Sequence, residues 1–171
     1  MPVTIRKTVP DDSEWVRAFT KKFWGAEFLL IHRVLYYPHE LPGFIAESET
    51  GEKLGLATWF FKEDSCELVT LSVEPKHQGV GTILLNAVID EARQAGSRRL
   101  WMMTTNDNLS ALRFYQKRGF RLAAFYRGVV DSARAVKRTI PILGEYDIPI
   151  HDELELEIRL EKIVDHPVPT E

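Results

Sequence analysis

Apolar and polar residues are distributed along this chain with two different periods. Residues 3–8 (VTIRKT) and 153–162 (ELELEIRLEK) alternate, which predicts half-buried strands at the two ends. GFIAESET (43–50) and KLGLATWFF (53–61) flank the polar Glu49-Thr50-Gly51-Glu52 turn and predict a β-hairpin. CELVTLSV (66–73), RRLWMMTT (98–105) and FRLAAFYRGVV (120–130) are further strand-like runs, the second rich enough in large apolar residues for a buried central strand. A helical period replaces the alternation elsewhere. Trp15, Phe19 and Phe23 recur every fourth residue in SEWVRAFTKKFW, behind the turn and N-cap residues Pro10, Asp11, Asp12 and Ser13. Helices are also predicted from Glu27 to Val34, from Gly81 to Ala95 with Gly96 past the end, and from Asn108 to Arg118 with Gly119 past the end. DSARAVKR adds one helical turn or two.

The elements run β, α, α, β, β, β, α, β, α, β, β. Antiparallel strands come first and βαβ crossovers lie in the middle. The expected fold class is α/β: one mixed, mostly antiparallel sheet of about seven strands with helices on both faces. A length of 171 residues suits a single domain, 1–171, with 131–171 forming a C-terminal loop and last strand.

Composition narrows the classes of function. A net charge of −3 argues against a dedicated nucleic-acid binder. Basic residues gather between Arg113 and Arg138, and an acidic run, HDELELE, follows at 151–157. The one cysteine, Cys66, excludes an internal disulfide and fits a reducing compartment. With no apolar leader at the N-terminus and no membrane-length apolar run, a cytoplasmic location is expected. His32 and His39 do not stand at a metal-ligand spacing and no carboxylate or cysteine completes a site, so no metal is expected.

The chemistry concentrates at KHQGVGTILLNAVIDEARQAG, 76–96. The P-loop pattern fails, because Thr82 and Ile83 follow Gly81. The dinucleotide fingerprint fails, because Leu84 stands where a third glycine is needed. What remains is a strand, a short loop, Gly79-x-Gly81 and a helix. Glycines there admit a close ligand, and a helix start offers unpaired N–H groups with partial positive charge, which suits a pyrophosphate. The same residues would equally serve a plain turn. In TTNDNLSALRFYQKRGF, 104–120, Asn108 is a plausible N-cap, and Asn108, Ala111 and Tyr115 share one helix face.

Taken together, these two segments resemble the GNAT (Gcn5-related N-acetyltransferase) superfamily. Its pattern [QR]-x-x-G-x-[GA] falls on Lys76-His77-Gln78-Gly79-Val80-Gly81, with Lys76 departing from Gln or Arg. Its second pattern falls on Asn108, Ala111, Phe114-Tyr115 and Gly119-Phe120. The likeness spans about residues 3–130, with its core at 66–120.

The resemblance implies acetyl-CoA as co-substrate. The pyrophosphate would meet N–H groups of Gln78, Gly79, Val80, Gly81 and Thr82. The pantetheine arm would lie beside Leu71, Ser72 and Val73, in a splay between strands 66–73 and 98–105. Asn108, Ala111 and Tyr115 complete the expected cofactor site. Tyr115 corresponds to the family's general acid, and an amide near Val73 to the partner of the thioester carbonyl. Glu67, expected on the same strand face as Val69, Leu71 and Val73, is the base, directly or through water. Cys66, lacking a paired histidine, is expected to be an inert thiol rather than an acyl carrier.

The acceptor is expected to be a primary amine of a small molecule or a peptide. It would lie near Phe23-Trp24-Gly25, His32-Arg33, His39 and Leu41-Pro42-Gly43-Phe44, with Arg127, Asp131, Arg134 and Lys137 opposite; Phe23, Trp24 and Phe44 are assigned to the core. The long 131–152 segment is read as a cover for the site or a homodimer contact. The alternative function is an inactive CoA-binding sensor on the same fold. Neither nucleic acid nor membrane is expected as a partner.

Overall fold

The computed structural model describes residues 2–74 and 79–160. Seven strands form one sheet: β1 (Val3–Lys7), β4 (Gly43–Ser48), β5 (Lys53–Lys62), β6 (Ser65–Val73), β7 (Arg99–Thr105), β8 (Arg121–Tyr126) and β9 (Glu153–Arg159). β2 (Leu29–Ile31) and β3 (Val34–Tyr36) form a separate hairpin. The helices are α1 (Ser13–Trp24), α2 (Val80–Gln94), α3 (Leu109–Gln116) and the short α4 (Val129–Ala133). Spatial order in the sheet is β1-β4-β5-β6-β7-β9-β8. β6 and β7 pair in parallel, as their crossover through α2 requires, and the other neighbours pair antiparallel.

Helices cover both faces, each where its apolar stripe meets the alternate residues of the strands. Leu84, Leu85, Val88 and Ala92 of α2 pack with Cys66, Leu68, Leu100 and Leu156, and Tyr115 of α3 joins the same core. On the opposite face Val16 and Phe19 of α1 meet Ile45 and Leu56. The start of α1 is tied to β1 by Asp12, whose carboxylate accepts from Arg6 at 2.7 and 2.9 Å and from Lys53 at 2.7 Å. Asp12 therefore acts as an anchor between elements, and its side chain does not cap the helix.

Three expected elements change. Residues 27–34 form no helix. Leu29–Ile31 and Val34–Tyr36 pair as a two-residue hairpin around His32 and Arg33, whose φ values are +45° and +67°. Left-handed backbone at both loop positions matches the twist of a hairpin, but neither residue is the Asn or Gly that announces such a turn in a sequence. The strand expected over 120–130 ends at Tyr126. Gly128 then turns left-handed at φ +71°, its N–H donates to Asp152 Oδ1 at 2.7 Å, and α4 begins. Lastly, β6 carries a bulge. Trp59 pairs with Leu68 and Thr58 with Thr70, so Val69 is an extra residue.

The bulge corrects the expected strand parity of Glu67. Cys66 and Leu68 before it and Leu71 and Val73 after it all contribute to the core under α2. Glu67 shares the opposite, α1-side face with Ser72, whose Oγ accepts from Trp24 Nε1–H at 3.1 Å.

Candidate functional site

The opening in the sheet follows from the strand lengths. β6 and β7 pair only over Ser65–Glu67 and Arg99–Trp101. Beyond Glu67, β6 runs on to Val73, bonded among the described residues to β5 on one side only. Its edge from Leu68 to Val73, which includes Leu71 and Ser72, therefore faces a gap toward β7. Half of a strand's backbone groups point to each neighbour, so this edge presents amides and carbonyls to whatever enters.

At the end of that edge lies the N-terminus of α2. Gly79 is its N-cap with φ +89°, a conformation that residues with a Cβ adopt at a cost. Gly79 O accepts from Thr82 N–H at 3.0 Å. Val80 and Gly81, the first helical residues, belong to the turn whose N–H groups have no intrahelical acceptor. The Val80 side chain is buried, so its backbone is what it can offer a ligand. Gly81 has helical backbone, and a Cβ there would sit 3.5 Å from the Phe114 ring, an ordinary contact. Gln78 and Lys76 lie outside the described residues.

A cation reinforces this helix start. Arg118, just past α3, donates to Thr82 Oγ1 at 2.6 and 3.1 Å and to Phe114 O at 2.8 Å, with its guanidinium 3.7 Å from the Phe114 ring centroid. The charge adds to the partial positive charge of the helix end. Arg118 was not singled out from the sequence, because its link to Thr82 exists only once α2 and α3 pack together.

On α3, Asn108 Oδ1 accepts from Ala111 N–H at 3.0 Å, so that oxygen is engaged as the cap. Ala111 is half-buried beside the α2-side core. Tyr115 is 5% exposed and lies edge-on to Phe114 and Phe120, with ring centroids 5.0 and 5.2 Å away. Burial raises its hydroxyl pKa above the ordinary value of 10, against an opposing effect from the Arg118 charge. The phenol is thus a weaker acid than sequence suggested, and it remains protonated through the neutral range.

The α1-side face holds the acidic groups. Glu67 is 4% exposed, and its Oε2 accepts from the Tyr36 hydroxyl at 2.5 Å. Burial pushes its carboxyl up to about 7; the Tyr36 hydrogen bond works against the rise, and Glu155 and Glu153 add to it. Across β7, Glu155 accepts from Arg99 at 2.8 Å and from Tyr126 at 3.0 Å. Cys66 is fully buried, and its thiol is pushed up to about 12, mainly by burial, which keeps it in the inert thiol form.

A cavity of about 330 Å³ lies between α1, the β2–β3 hairpin, β6, β7 and the 129–150 segment. Val69 at the bulge, Thr104 of β7 and Asn108 connect it to the strand gap. Phe23, Trp24 and Gly25 line it; Phe23 also packs against the α1-side core, Trp24 is exposed pocket wall, and Phe44 is core. Lys137, Thr139, Ile140 and Pro141 also line it, so the 131–152 segment covers one side of the cavity. His39, Leu41 and Pro42 border a different depression. Asp131 pairs with Arg134 at 2.7 Å and with His151 at 3.0 Å, and Arg134 donates to the backbone oxygens of the lining residues Pro141 and Ile150. Arg127 is exposed. Among the described residues there is no group of three or more His, Cys, Asp or Glu that could hold a metal ion, and no helix long and apolar enough to cross a membrane.

Comparison with known proteins bears on this geometry. A sequence model described as the Acetyltransferase (GNAT) family matches residues 10–120. YxbD of Bacillus subtilis (strain 168), an uncharacterized protein, is 39% identical over 148 residues, which are 86% of this chain and 92% of that protein. Among solved structures, an IAA acetyltransferase from Bacillus cereus ATCC 14579 superposes with a TM-score of 0.69 at 19% identity, covering 93% of this chain and 100% of the other. A GNAT family acetyltransferase from Elizabethkingia anophelis with acetyl-CoA bound gives 0.65 at 20% identity, covering 92% and 98%.

Proposed function

Since the chain belongs to the GNAT acetyltransferase family, we propose that it transfers an acetyl group from acetyl-CoA directly to a primary amine. The observation that carries this reading is the unpaired edge of β6. It opens at one end on the glycine-led start of α2 and through the gap on the cavity behind the sheet. A long thioester carrier needs an extended edge for its amide-bearing arm and an anion cradle for its diphosphate, and both lie in line here. Val80 and Gly81 would hold the diphosphate through backbone N–H groups, with Arg118 adding charge, whereas the Thr82 N–H is already engaged by Gly79 O. Leu71, Ser72 and Val73 would pair with the arm.

Acetyl-CoA brings an activated thioester carbonyl whose sulfur is the leaving group. An amide of the β6 edge near Val73 polarises that carbonyl. The acceptor enters as an ammonium ion and must lose a proton before its nitrogen attacks. Glu67 accepts that proton at one remove, through water, because Tyr36 covers its carboxylate. As the new C–N bond forms and the C–S bond breaks, Tyr115 gives its phenolic proton to the departing sulfur. A cytoplasmic setting and a single domain complete this reading.

An idle CoA-binding module would use the same cradle without this proton traffic. Replacing Tyr115 with Phe separates the two, with thiol release in the presence of amines as the readout. We expect kcat to fall about 100-fold or more with acetyl-CoA affinity preserved. Amine-independent, negligible release by the unaltered protein, with acetyl-CoA bound, would support the idle module instead.

A further inference from the structure

The three glutamates of β9 on the α1-side face are not alike. Glu155 and Glu157 both accept from Arg99. Glu153 has neither Lys nor Arg within ion-pair distance among the described residues. It is 6% exposed and it lines the cavity. Its Oε1 accepts from His32 N–H at 3.2 Å. Its Oε2 is buried with no hydrogen-bond partner among the described residues, and His32 Nδ1, which is itself unbonded, lies 3.4 Å away. A buried carboxylate oxygen without a donor is costly, and it marks a position where a ligand's donor belongs.

The cavity's other charged wall is Lys137. Lys137 is 7% exposed, and its Nζ donates to Phe28 O at 3.1 Å. An ammonium has three donors, so two remain. Glu153 holds the His32 end of β2 and Lys137 the Phe28 end. Those ends are at most about 13 Å apart at a strand rise of about 3.3 Å per residue. Between them the walls are mostly apolar, from Phe23, Trp24, Leu29, Ile31, Val69 and Ile150.

We infer that this cavity selects a small primary monoamine with an apolar body, its ammonium held by Glu153 and its far end, uncharged or anionic, meeting Lys137. The inference rests on the acetyltransferase reading and adds the acceptor's chemical class. Glu153 supplies the acceptor oxygen for the cation, and the gap at Val69 and Thr104 brings that nitrogen toward the β6 edge. Lys137 rejects a second cation at the far end, so polyamines are disfavoured by like charge. A cavity of about 330 Å³ is at the small end for ligand sites and admits a compact molecule rather than a folded protein's surface.

Three amines of matched length test this: hexylamine, aminocaproate and hexanediamine. Initial rates of acetyl transfer are compared in the unaltered protein, Glu153→Gln and Lys137→Met, with acetyl-CoA affinity measured by calorimetry as the check on folding. Hexylamine and aminocaproate should be acetylated, and hexanediamine about tenfold less efficiently or worse. Glu153→Gln should raise KM for hexylamine about tenfold or more while acetyl-CoA affinity stays within about twofold. Lys137→Met should improve hexanediamine relative to hexylamine. A preference for hexanediamine in the unaltered protein, or an unchanged hexylamine KM in Glu153→Gln, overturns the inference and leaves the acetyltransferase reading standing. If no amine is acetylated but hexylamine binds the CoA complex in a Glu153-dependent way, the pocket stands and the acetyltransferase reading falls. If hexylamine neither reacts nor binds, the pocket assignment falls.

Discussion

Glu67 is the residue whose environment most directly predicts a rate profile. Its carboxyl is pushed up to about 7, chiefly by burial. A base must be ionised to act, so kcat/KM should fall as pH drops below about 7 and level off above it. The Tyr36 hydrogen bond favours the ionised form. Tyr36→Phe should therefore move the acid limb to higher pH. Glu67→Gln should lower kcat about 100-fold or more and abolish the limb; a limb that survives this change assigns the proton to another group. The same raised pKa has a cost in stability. The folded protein holds this proton more tightly than the unfolded chain, so the contribution is largest below the ordinary carboxylate value and is lost as pH rises through about 7. At this scale the sequence was informative only where partners are local. Asn108, Ala111 and Tyr115 lie on one short helix, and their pattern could be seen in a row of letters. The contacts of Tyr36 with Glu67, His32 with Glu153, and Lys137 with Phe28 join segments 31, 121 and 109 residues apart. No local pattern announces such contacts.

At the scale of elements, two glycines with one motif do different work. Gly79 stands at φ +89°, and placing a Cβ there costs about 1–2 kcal/mol. Gly81 is helical, and its added Cβ would meet the Phe114 ring at 3.5 Å and Val73 Cγ2 at 3.7 Å, both ordinary contacts. Gly79→Ala should lower Tm by a few degrees. Gly81→Ala should leave Tm unchanged or raise it, since alanine is the better helix former by about 0.5–1 kcal/mol. If the diphosphate rests on that first turn, Gly81→Ala should still weaken acetyl-CoA binding about tenfold or more. Binding unchanged by Gly81→Ala would place the diphosphate elsewhere. The elements that sequence missed share one physical cause, namely backbone geometry set by a distant partner. His32 and Arg33 take left-handed φ without a glycine, and Glu153 accepts the His32 N–H across the fold. The bulge at Val69 shows only when β6 is laid against β5, and it moves Glu67 to the face opposite Leu71. By contrast α1, α2 and the β4–β5 hairpin carry strong periodicity and clear turn residues, and each lies within a residue or two of its expected span.

For the whole molecule, the architecture of seven strands with helices on both faces could be anticipated because strand alternation and crossover length restrict the possible sheets. Even the divergence of β6 from β7 was expected, although only through the family likeness. Pairing that stops at Glu67 and Trp101 makes that divergence a physical slot. The acceptor cavity is a property of the assembled fold, since α1, the β2–β3 hairpin and the 129–150 segment supply its walls from distant parts of the chain.

The claim on which the account depends is that CoA occupies this slot, and amide hydrogen exchange with and without CoA tests it most directly. The account predicts that saturating CoA slows exchange at gap-facing amides between Leu68 and Val73 and at Val80 and Gly81, with the β8 edge unchanged. CoA bound by calorimetry with exchange at those amides unaltered would contradict it.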